Sequence, residues 1–460
     1  MDEWPDSIGN AFHKAIAHAT LLASVLKELK AARMNQIPKP LLDLHARLKS
    51  QKWSTRILTP LLRWAWNIKR RIARTIPVAY IPGLRTWSGR PKGHWTSLVA
   101  YQKAYPLSIS ITTVSPMGTA RREKIKNNGE ELPHQGASPI NWPERRVITL
   151  KNVRIVGGYG AAMISSDNRL LGELSPDVWG YPNHELFSRL RLPNPIKLKG
   201  RVAVVATPES PNNYGHWLLD LLPRVLAIRQ ANDGFNSFDH VVVNSSNFPF
   251  CQESLRILGL PLEKILPLDG SIAYKIDECV TTSLRDAHWR DSLSLEEFQL
   301  VRHNLIKAAD TKSSFPKRLF LPRGGAKFRK LMNEEELAPI LRANGFHDFY
   351  PERYSMAEQI AAFKGAEIIV GAHSSAFSNL LFCQAGTVVL EIFPPNHTDF
   401  SWWTLSDHGK LKYFSVLGSG VTNLALTSGR NHDLGNRYRH FKVDINAFTR
   451  ALANALNYLD

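Results

Sequence analysis

The chain has 460 residues, of which 43% are apolar, and a formal net charge of +18. This length exceeds what one hydrophobic core usually supports, so two domains are expected, and the apolar share is ample for globular cores. The acidic start M-D-E-W-P-D has no apolar region behind it, and no run of about 18 apolar residues follows. These two features argue against a signal peptide and a membrane span.

The positive charge lies mainly at the N-terminus, because residues 1–100 contain 17 Lys and Arg against 5 Asp and Glu. We therefore predict a basic helical segment over residues 1–95, beginning with a helix over residues 10–33. Between Pro60 and Pro77, apolar residues including Trp64 lie at helical spacing among basic side chains. This pattern suits an anionic membrane surface, which residues 39–92 would contact. A solvated helix packed on the main body explains the same pattern. Nucleic acid is not expected, since no zinc-finger, RNA-recognition or helix-turn-helix pattern occurs.

The three cysteines, Cys251, Cys279 and Cys383, form an odd and sparse set without C-x-x-C spacing. A zinc site or a redox pair is therefore not predicted, and no cofactor is expected. A reducing compartment, the cytoplasm, is the simpler interpretation.

Predicted elements form two α/β series. Residues 82–145 are expected to be loops with a few short strands. Short strands follow from Val147 to Ala206, then a helix from Trp217 to Ile228, a strand at His240 and a helix in Q-E-S-L-R-I-L. The second series begins with the strand R-L-F-L-P after a helical connection over 286–312. Asn333 is a candidate cap of the helix that follows, another helix is expected from Met356 to Lys364, and the series ends with a helix capped by Asp444. The alternation predicts parallel α/β sheets in two domains, 96–300 and 301–460.

The motif P-N-N-Y-G-H-W-L-L-D-L-L-P-R begins a helix in the first series. His216 and Asp220 are four residues apart, so they share one helix face and reach each other. A histidine oriented by a carboxylate is a usable general base, but a structural hydrogen bond at a helix start explains the spacing equally. Two residues of the same motif, Asn213 and Trp217, are candidates for binding a second substrate, the acceptor of a transferred group. Trp217 also fits an ordinary core position.

Two arginines, Arg323 and Arg329, follow the strand R-L-F-L-P. Guanidinium groups bind phosphate oxygens and keep their charge, so the pair suits a leaving diphosphate. Solvation of a basic loop, which also contains Lys327 and Lys330, is the alternative.

The segment I-I-V-G-A-H-S-S-A-F-S-N-L-L-F predicts a buried strand, a tight turn at Gly371 and a helix that begins near Ser374. Unpaired N–H groups at such a helix start can hold a phosphate. His373, Ser374, Ser375 and Asn379 offer further hydrogen bonds there, although a buried histidine bonded to backbone is common. Glu391 ends the strand T-V-V-L-E-I-F, where it either accepts ribose hydroxyls or lies in solvent.

The order and spacing of these motifs resemble those of glycosyltransferase family 61, over about residues 150–395. The resemblance is carried by N-Y-G-H-W-L-L-D-L-L-P-R, by Arg323 and Arg329 with N-E-E-E-L behind them, and by G-A-H-S-S-A-F-S-N-L-L-F with V-L-E-I. It implies a GT-B-like α/β fold with two Rossmann-like domains that face a cleft. The C-terminal domain would bind a nucleoside-diphosphate sugar, and the other domain a glycan or lipid-linked acceptor.

The resemblance further implies an inverting transfer without a catalytic metal, in bacterial capsule or other surface polysaccharide biosynthesis. The chain contains no D-x-D triplet. Residues 373–376 read H-S-S-A where the family commonly has an H-G-A-G-like turn. This departure leaves a second interpretation open, a non-catalytic sugar-binding or assembly protein that retains the fold.

Overall fold

The computed structural model describes residues 88–120, 140–158, 160–175, 184–189, 191–208, 210, 213–245, 248–284, 293–308, 313–326, 328–395, 399–420 and 439–459. Almost all of the predicted basic segment, and most of the proposed membrane-binding range 39–92, lie outside these residues. Within them, no helix is long and apolar enough to cross a membrane.

The first half of the described chain is built on a mixed sheet. Its strands, with a separate β3–β4 hairpin, are β1 (Gly93–Trp95), β2 (Ile109–Ser115), β3 (Gly118–Ala120), β4 (Ile140–Trp142), β5 (Arg145–Gly157), β6 (Ala161–Ile164), β7 (Arg169–Leu171), β8 (Ile196–Val204), β9 (His240–Asn244), β10 (Ile265–Leu268) and β11 (Ala273–Thr282). The sheet order is β1-β7-β6-β5-β11-β8-β9-β10, with β2 also paired to β5.

The prediction of a parallel sheet is only partly correct for this half. Strands β11, β8, β9 and β10 run parallel, whereas β5 runs antiparallel to β2, β6 and β11. Short connections such as that between β5 and β6 allow only antiparallel pairing, because a parallel crossover needs about a dozen residues.

Helices of the first half are α1 (Leu98–Ala104), α2 (Tyr214–His216), a π-helix (Trp217–Leu221), α3 (Leu222–Ala231), α4 (Pro249–Ile257) and α5 (Leu295–Ala308). The predicted helix from Trp217 to Ile228 is confirmed and extends at both ends. Helix α1, inside the segment predicted as loops and short strands, was not predicted. Its N-cap is Ser97, whose side chain accepts hydrogen bonds from Val99 and Ala100.

The second half is a parallel sheet covered on both faces. Its strands are β12 (Arg318–Leu321), β13 (His347–Asp348), β14 (Ile368–Ala372), β15 (Val388–Phe393) and β16 (Lys412–Leu417), in the order β13-β12-β14-β15-β16; a short β17–β18 pair (Ser419–Gly420, Phe441–Lys442) lies apart. Its helices are α6 (Glu334–Ala343), α7 (Met356–Gly365), the 3₁₀ helix Ser375–Phe382, α8 (Ser401–His408) and α9 (Ile445–Leu456). The predicted parallel sheet is confirmed here.

Two predicted caps have different outcomes. Asp444 caps α9, since its side chain accepts a hydrogen bond from the Ala447 N–H at 2.8 Å. Asn333 occupies the N-cap position of α6 without capping it. Its amide instead exchanges hydrogen bonds with the backbone of Val443, at 2.9 and 3.1 Å, and so ties the C-terminal segment to the second sheet.

One hydrophobic core joins the two halves. Alternate residues of β15 face opposite ways, so Val389 and Phe393 pack with the helices of the first half, whereas Val388 and Leu390 pack against α9. The shared core includes Trp217, Leu222 and Val280 of the first half, beside Phe377 and Trp402 of the second. The candidate residues of both halves therefore lie near one interior. The domain limits 96–300 and 301–460 stay a prediction, and α5 crosses residue 300.

Candidate functional site

The strand order of the second sheet reverses between β12 and β14. From β12 the chain passes through α6 to β13 on one side, then through α7 back to β14 on the other. In open α/β sheets, ligands bind at the carboxyl ends of the two strands where this reversal occurs. Arg323 follows β12, and His373 follows β14. The structure therefore places these two predicted residues at the two strand ends where a ligand is expected.

Arg323 bridges the two strand ends. Its Nη1 donates a hydrogen bond to the His373 carbonyl oxygen at 3.0 Å, and its Nη2 donates to the Phe328 carbonyl oxygen at 2.7 Å. Its main-chain N–H donates to Oε1 of Glu334 at 2.6 Å. Within the described part of the chain, its buried Nε has no hydrogen-bond partner. Two nitrogens of the guanidinium are thus held by carbonyl oxygens of the protein, and Nε remains as a donor that a ligand could use.

Arg329 lies close enough to influence Arg323. Burial first, and then the positive charge of Arg329, lowers the pKa of Arg323 to about 10. Arg329 has a φ of 51°, a left-handed conformation that costs a residue with a side chain roughly 1 kcal/mol. Two guanidinium groups that repel each other favour an anion between them. The alternative of a fully solvated loop does not describe Arg323, because its side chain is half-buried and donates to two carbonyl oxygens.

Gly371 is a strand residue of β14, and the predicted tight turn at this position is wrong. It pairs in register with Leu321 and Glu391. A Cβ at Gly371 would lie 2.9 Å from the Leu321 Cβ and 3.1 Å from its carbonyl oxygen, so close strand packing explains the glycine. The turn lies two residues later, at His373 and Ser374.

The helix predicted near Ser374 is present as a 3₁₀ helix. Ser374 occupies its N-cap position with extended backbone and no capping side-chain hydrogen bond, and Ser375 is the first helical residue. Ser374 is buried and Ser375 is half-buried. Both serines follow His373 at the carboxyl end of β14, beside the contact made by Arg323.

Glu391 is fully buried, so the prediction that it lies at the mouth of a cleft or in solvent is wrong. Its Oε1 lies 2.5 Å from Nδ1 of His373, and its Oε2 accepts a hydrogen bond from the Tyr413 hydroxyl. Burial raises the pKa of this carboxyl well above its usual range. Both oxygens are therefore engaged inside the protein, and Glu391 connects to Arg323 through His373.

Asn379 is also interior, and the structure contradicts its predicted contact with a donor. The Tyr214 hydroxyl donates to its Oδ1 at 2.6 Å, and its Nδ2 donates to Oε1 of Gln359 at 2.9 Å. The side chain is fully buried. Its amide joins the two halves of the molecule because Tyr214 begins the helix of the first half.

The prediction that His216 and Asp220 reach each other is confirmed. Nδ1 of His216 lies 2.5 Å from Oδ2 of Asp220. The Asp220 side chain is 22% exposed and that of His216 is 4% exposed, so the carboxylate is the more accessible member. Asp220 lies in a π-helical turn, Trp217–Leu221, which His216 immediately precedes, and such turns occur frequently at functional sites.

Arg224 lies one turn beyond Asp220 and is fully buried. Its Nη2 donates to the Val204 carbonyl oxygen at 3.1 Å and to Oγ1 of Thr281 at 2.7 Å. Burial lowers its pKa to about 9, and attraction to Asp220 opposes that change. Asp220 therefore has a buried positive charge on one side and His216 on the other.

The two acceptor-side candidates have structural contacts. Trp217 is buried in the shared core and donates from Nε1 to Oγ of Ser254 at 2.8 Å, so its predicted acceptor contact is wrong. Asn213 is half-buried and caps α2, since its Oδ1 accepts from the N–H groups of Gly215 and His216 at 2.9 and 3.4 Å. The Asn213 cap fixes where the His216 helix begins.

The two groups of residues meet at Gly215. A Cβ there would lie 2.9 Å from Oγ of Ser378 and 3.4 Å from the Trp402 ring. The Trp402 ring centroid lies 5.9 Å from that of His373. The Trp402 ring thus lies between Gly215, the residue before His216, and the turn at His373 and Ser374.

Sequence reasoning missed Tyr413, Trp402 and Arg224. Tyr413 reaches Glu391 only because β16 lies beside β15, which the sequence alone does not reveal. Trp402 belongs to a W-W pair that had no assigned partner. Arg224 interrupts a run of apolar residues, and this was a usable signal. Across the described residues, no group of three or more His, Cys, Asp or Glu is placed to hold a metal ion.

Residues 214–390 match the model of the family described as Glycosyltransferase 61. The match supports a glycosyltransferase of this family, with a sugar donor and a glycan acceptor in general terms. It includes both His216 with Asp220 and Arg323 with Arg329, and it ends one residue before Glu391. No curated protein matches the chain.

Proposed function

We propose that the protein transfers a sugar from a nucleoside-diphosphate donor to a hydroxyl of a glycan acceptor, with inversion and without a catalytic metal. The observation that carries this proposal is the pair Arg323 and Arg329 at the reversal between β12 and β14. Two positive charges lie together there, and the buried Nε of Arg323 has no partner within the described residues. A diphosphate supplies the charge and the acceptor oxygens that this arrangement favours.

The donor binds with its diphosphate against Arg323, Arg329 and the turn at Ser374 and Ser375. Gly371 allows β12 and β14 to approach closely beneath the diphosphate. His373 holds Arg323 through its carbonyl oxygen. Fixed donors of this kind stabilise the charge that develops on the leaving diphosphate.

Asp220 is the general base, and His216 is its orienting partner. The greater exposure of the carboxylate favours this assignment over the reverse. The acceptor hydroxyl gives its proton to Asp220, and its oxygen bonds to the anomeric carbon from the face opposite the leaving group. The bond from that carbon to the diphosphate oxygen breaks, and its electron pair leaves with the diphosphate.

The architecture is GT-B-like in this proposal, with the nucleotide on the second sheet and the acceptor on the first. The order of the second sheet is typical of doubly wound nucleotide-binding domains. The shared core places the carboxyl end of β14 beside the helix that carries His216.

The proposal includes a biological setting, which is inferred from the family resemblance. It is the assembly of a bacterial surface polysaccharide such as a capsule, at the cytoplasmic face of the inner membrane. A lipid-linked acceptor would lie there, and residues 39–92 would bind the anionic surface. The transferred sugar is a hexose or a pentose.

A panel of nucleotide sugars tests the function. Binding raises the unfolding temperature according to ligand concentration relative to Kd, so a thermal-shift screen identifies the donor. Release of the nucleoside diphosphate with candidate acceptors then measures turnover, with Asp220→Asn as the inactive control. Saturable binding without turnover under all acceptors would favour the non-catalytic sugar-binding protein, and no shift with any nucleotide sugar would contradict both functions.

A further inference from the structure

Glu391 is a carboxylate placed where the fold requires none. It lies in the parallel strand β15 between Leu390 and Ile392 and is fully buried. Burying a charged carboxylate is costly, and replacing buried ionic groups by apolar ones of similar volume is often neutral or stabilising. The residue therefore points to a purpose other than packing.

The two partners of Glu391 come from the strands on either side. Tyr413 lies in β16, one diagonal step from Glu391 on the same face, and its hydroxyl donates to Oε2. His373 follows β14, and its Nδ1 meets Oε1 at 2.5 Å. Asp399 also acts on Glu391 and Tyr413, because its negative charge contributes to raising the pKa of both groups.

His373 is fixed by more than this contact. Its ring stacks near Phe393, with centroids 5.6 Å apart, and lies beside Trp402. Its main-chain N–H donates to the Ile392 carbonyl oxygen at 3.0 Å. Ring and backbone are both held, so the position of the His373 carbonyl oxygen is well determined.

That carbonyl oxygen accepts the hydrogen bond from Nη1 of Arg323. The positive charges of Arg323 and Arg329 repel each other. The hydrogen bond to the His373 carbonyl oxygen holds the Arg323 guanidinium in place against that repulsion. A chain of direct contacts thus runs from the Tyr413 hydroxyl through Glu391 and His373 to the Arg323 guanidinium.

We propose that Tyr413, Glu391 and His373 form a buried positioning unit that sets the place of the Arg323 guanidinium for binding the donor's diphosphate. Tyr413 and Glu391 are positioning residues, since they act through His373 without touching the donor. This inference rests on the proposed function, because it presupposes that Arg323 binds a diphosphate.

The test uses calorimetry to measure how tightly the full chain binds inorganic pyrophosphate. The wild type is compared with the Tyr413→Phe and Glu391→Gln variants. Tyr274→Phe is the matched control, because its hydroxyl also donates from a buried ring, to the Pro267 carbonyl oxygen in the first sheet. We expect both variants to weaken pyrophosphate binding by about tenfold, the usual effect of misplacing one charge-assisted hydrogen bond, and the control to leave it unchanged.

A second measurement separates positioning from general destabilisation. Nitrogen-15 NMR of the His373 ring, assigned with His373→Gln, should show an altered Nδ1 signal in Glu391→Gln and Tyr413→Phe and an unaltered one in Tyr274→Phe. Wild-type pyrophosphate affinity in both variants, despite an altered His373 signal, would overturn the inference.

Arg323→Met distinguishes this failure from failure of the proposed function. If Arg323→Met loses pyrophosphate binding while Tyr413→Phe and Glu391→Gln keep it, only the positioning unit is wrong. If Arg323→Met binds pyrophosphate as the wild type does, the proposed donor site is wrong as well.

Discussion

The Tyr214 hydroxyl donates a hydrogen bond to Oδ1 of Asn379 at 2.6 Å, and this bond joins the first helix of the candidate site to the 3₁₀ helix of the second half. Tyr214 is half-buried, and burial raises the pKa of its hydroxyl above the ordinary range. The hydroxyl therefore stays protonated and neutral at physiological pH.

Tyr214→Phe should destabilise the protein, because it leaves the buried Oδ1 of Asn379 without this donor. We expect the free energy of unfolding to fall by about 1–3 kcal/mol, the usual cost of an unsatisfied buried polar group. Urea denaturation measures the loss, with Tyr458→Phe at a half-exposed position as the control. A loss no larger than that of the control would show that the bond does not contribute to joining the halves.

Asp220→Asn and His216→Gln should differ in kcat. Removing a general base lowers the rate by about 10²–10⁴-fold, whereas removing its orienting partner is expected to cost less. Steady-state kinetics with the identified donor measure both, and donor affinity should stay near the wild-type value. A larger loss in His216→Gln than in Asp220→Asn would reverse the two roles.

Arg224→Met should affect both stability and activity. The guanidinium is fully buried, and methionine removes the two hydrogen bonds that its Nη2 donates to the Val204 carbonyl oxygen and to Oγ1 of Thr281, so the free energy of unfolding should fall by about 1–3 kcal/mol. The variant also removes the charge that favours ionised Asp220. The acidic limb of the kcat/KM profile should therefore move to higher pH.

Arg224→Lys is the matched control for that profile because it keeps a positive charge. The other groups that face these residues are the same in both variants. His216 contacts Asp220, and Arg145 and Cys279 lie near position 224. An unmoved acidic limb in Arg224→Met would contradict an electrostatic effect of Arg224 on Asp220.

Glu391→Gln should change how stability depends on pH. The pKa of Glu391 is raised well above 4.5 in the folded protein, so above pH 4.5 the unfolded chain releases a proton that the folded chain keeps. Stability from this group is fully present below pH 4.5 and is lost as pH rises through the folded pKa. The melting temperature of Glu391→Gln relative to wild type should rise with pH over that range, and Glu335→Gln, on the exposed surface of α6, is the matched control substitution.

Local patterns predicted the second half of the fold well. Buried strands at Ile368 and Val388, the helix from Met356 and the cap at Asp444 each follow from a few neighbouring residues. The first sheet was harder, because the antiparallel pairing of β5 with three strands depends on contacts between distant segments. Sequence periodicity does not encode which strands become neighbours.

The candidate site shows the same division. The i,i+4 spacing sufficed to pair His216 with Asp220. The partners of Glu391 and Asn379 were not predictable, because Tyr413 and Tyr214 reach them across the sheet and across the two halves. A strand-end carboxylate and a helix amide look available in sequence, and only three-dimensional packing shows that both are interior.

The central claim is that Arg323 and Arg329 bind a diphosphate, and comparing the Kd of nucleoside diphosphates and monophosphates tests it most directly. Calorimetry with the uridine, guanosine and cytidine nucleotides is carried out on the wild type and Arg329→Met. We expect the wild type to bind at least one diphosphate about tenfold more tightly than its monophosphate, and Arg329→Met to lose that preference. Equal affinities in the wild type, or an unchanged preference in Arg329→Met, would contradict the account.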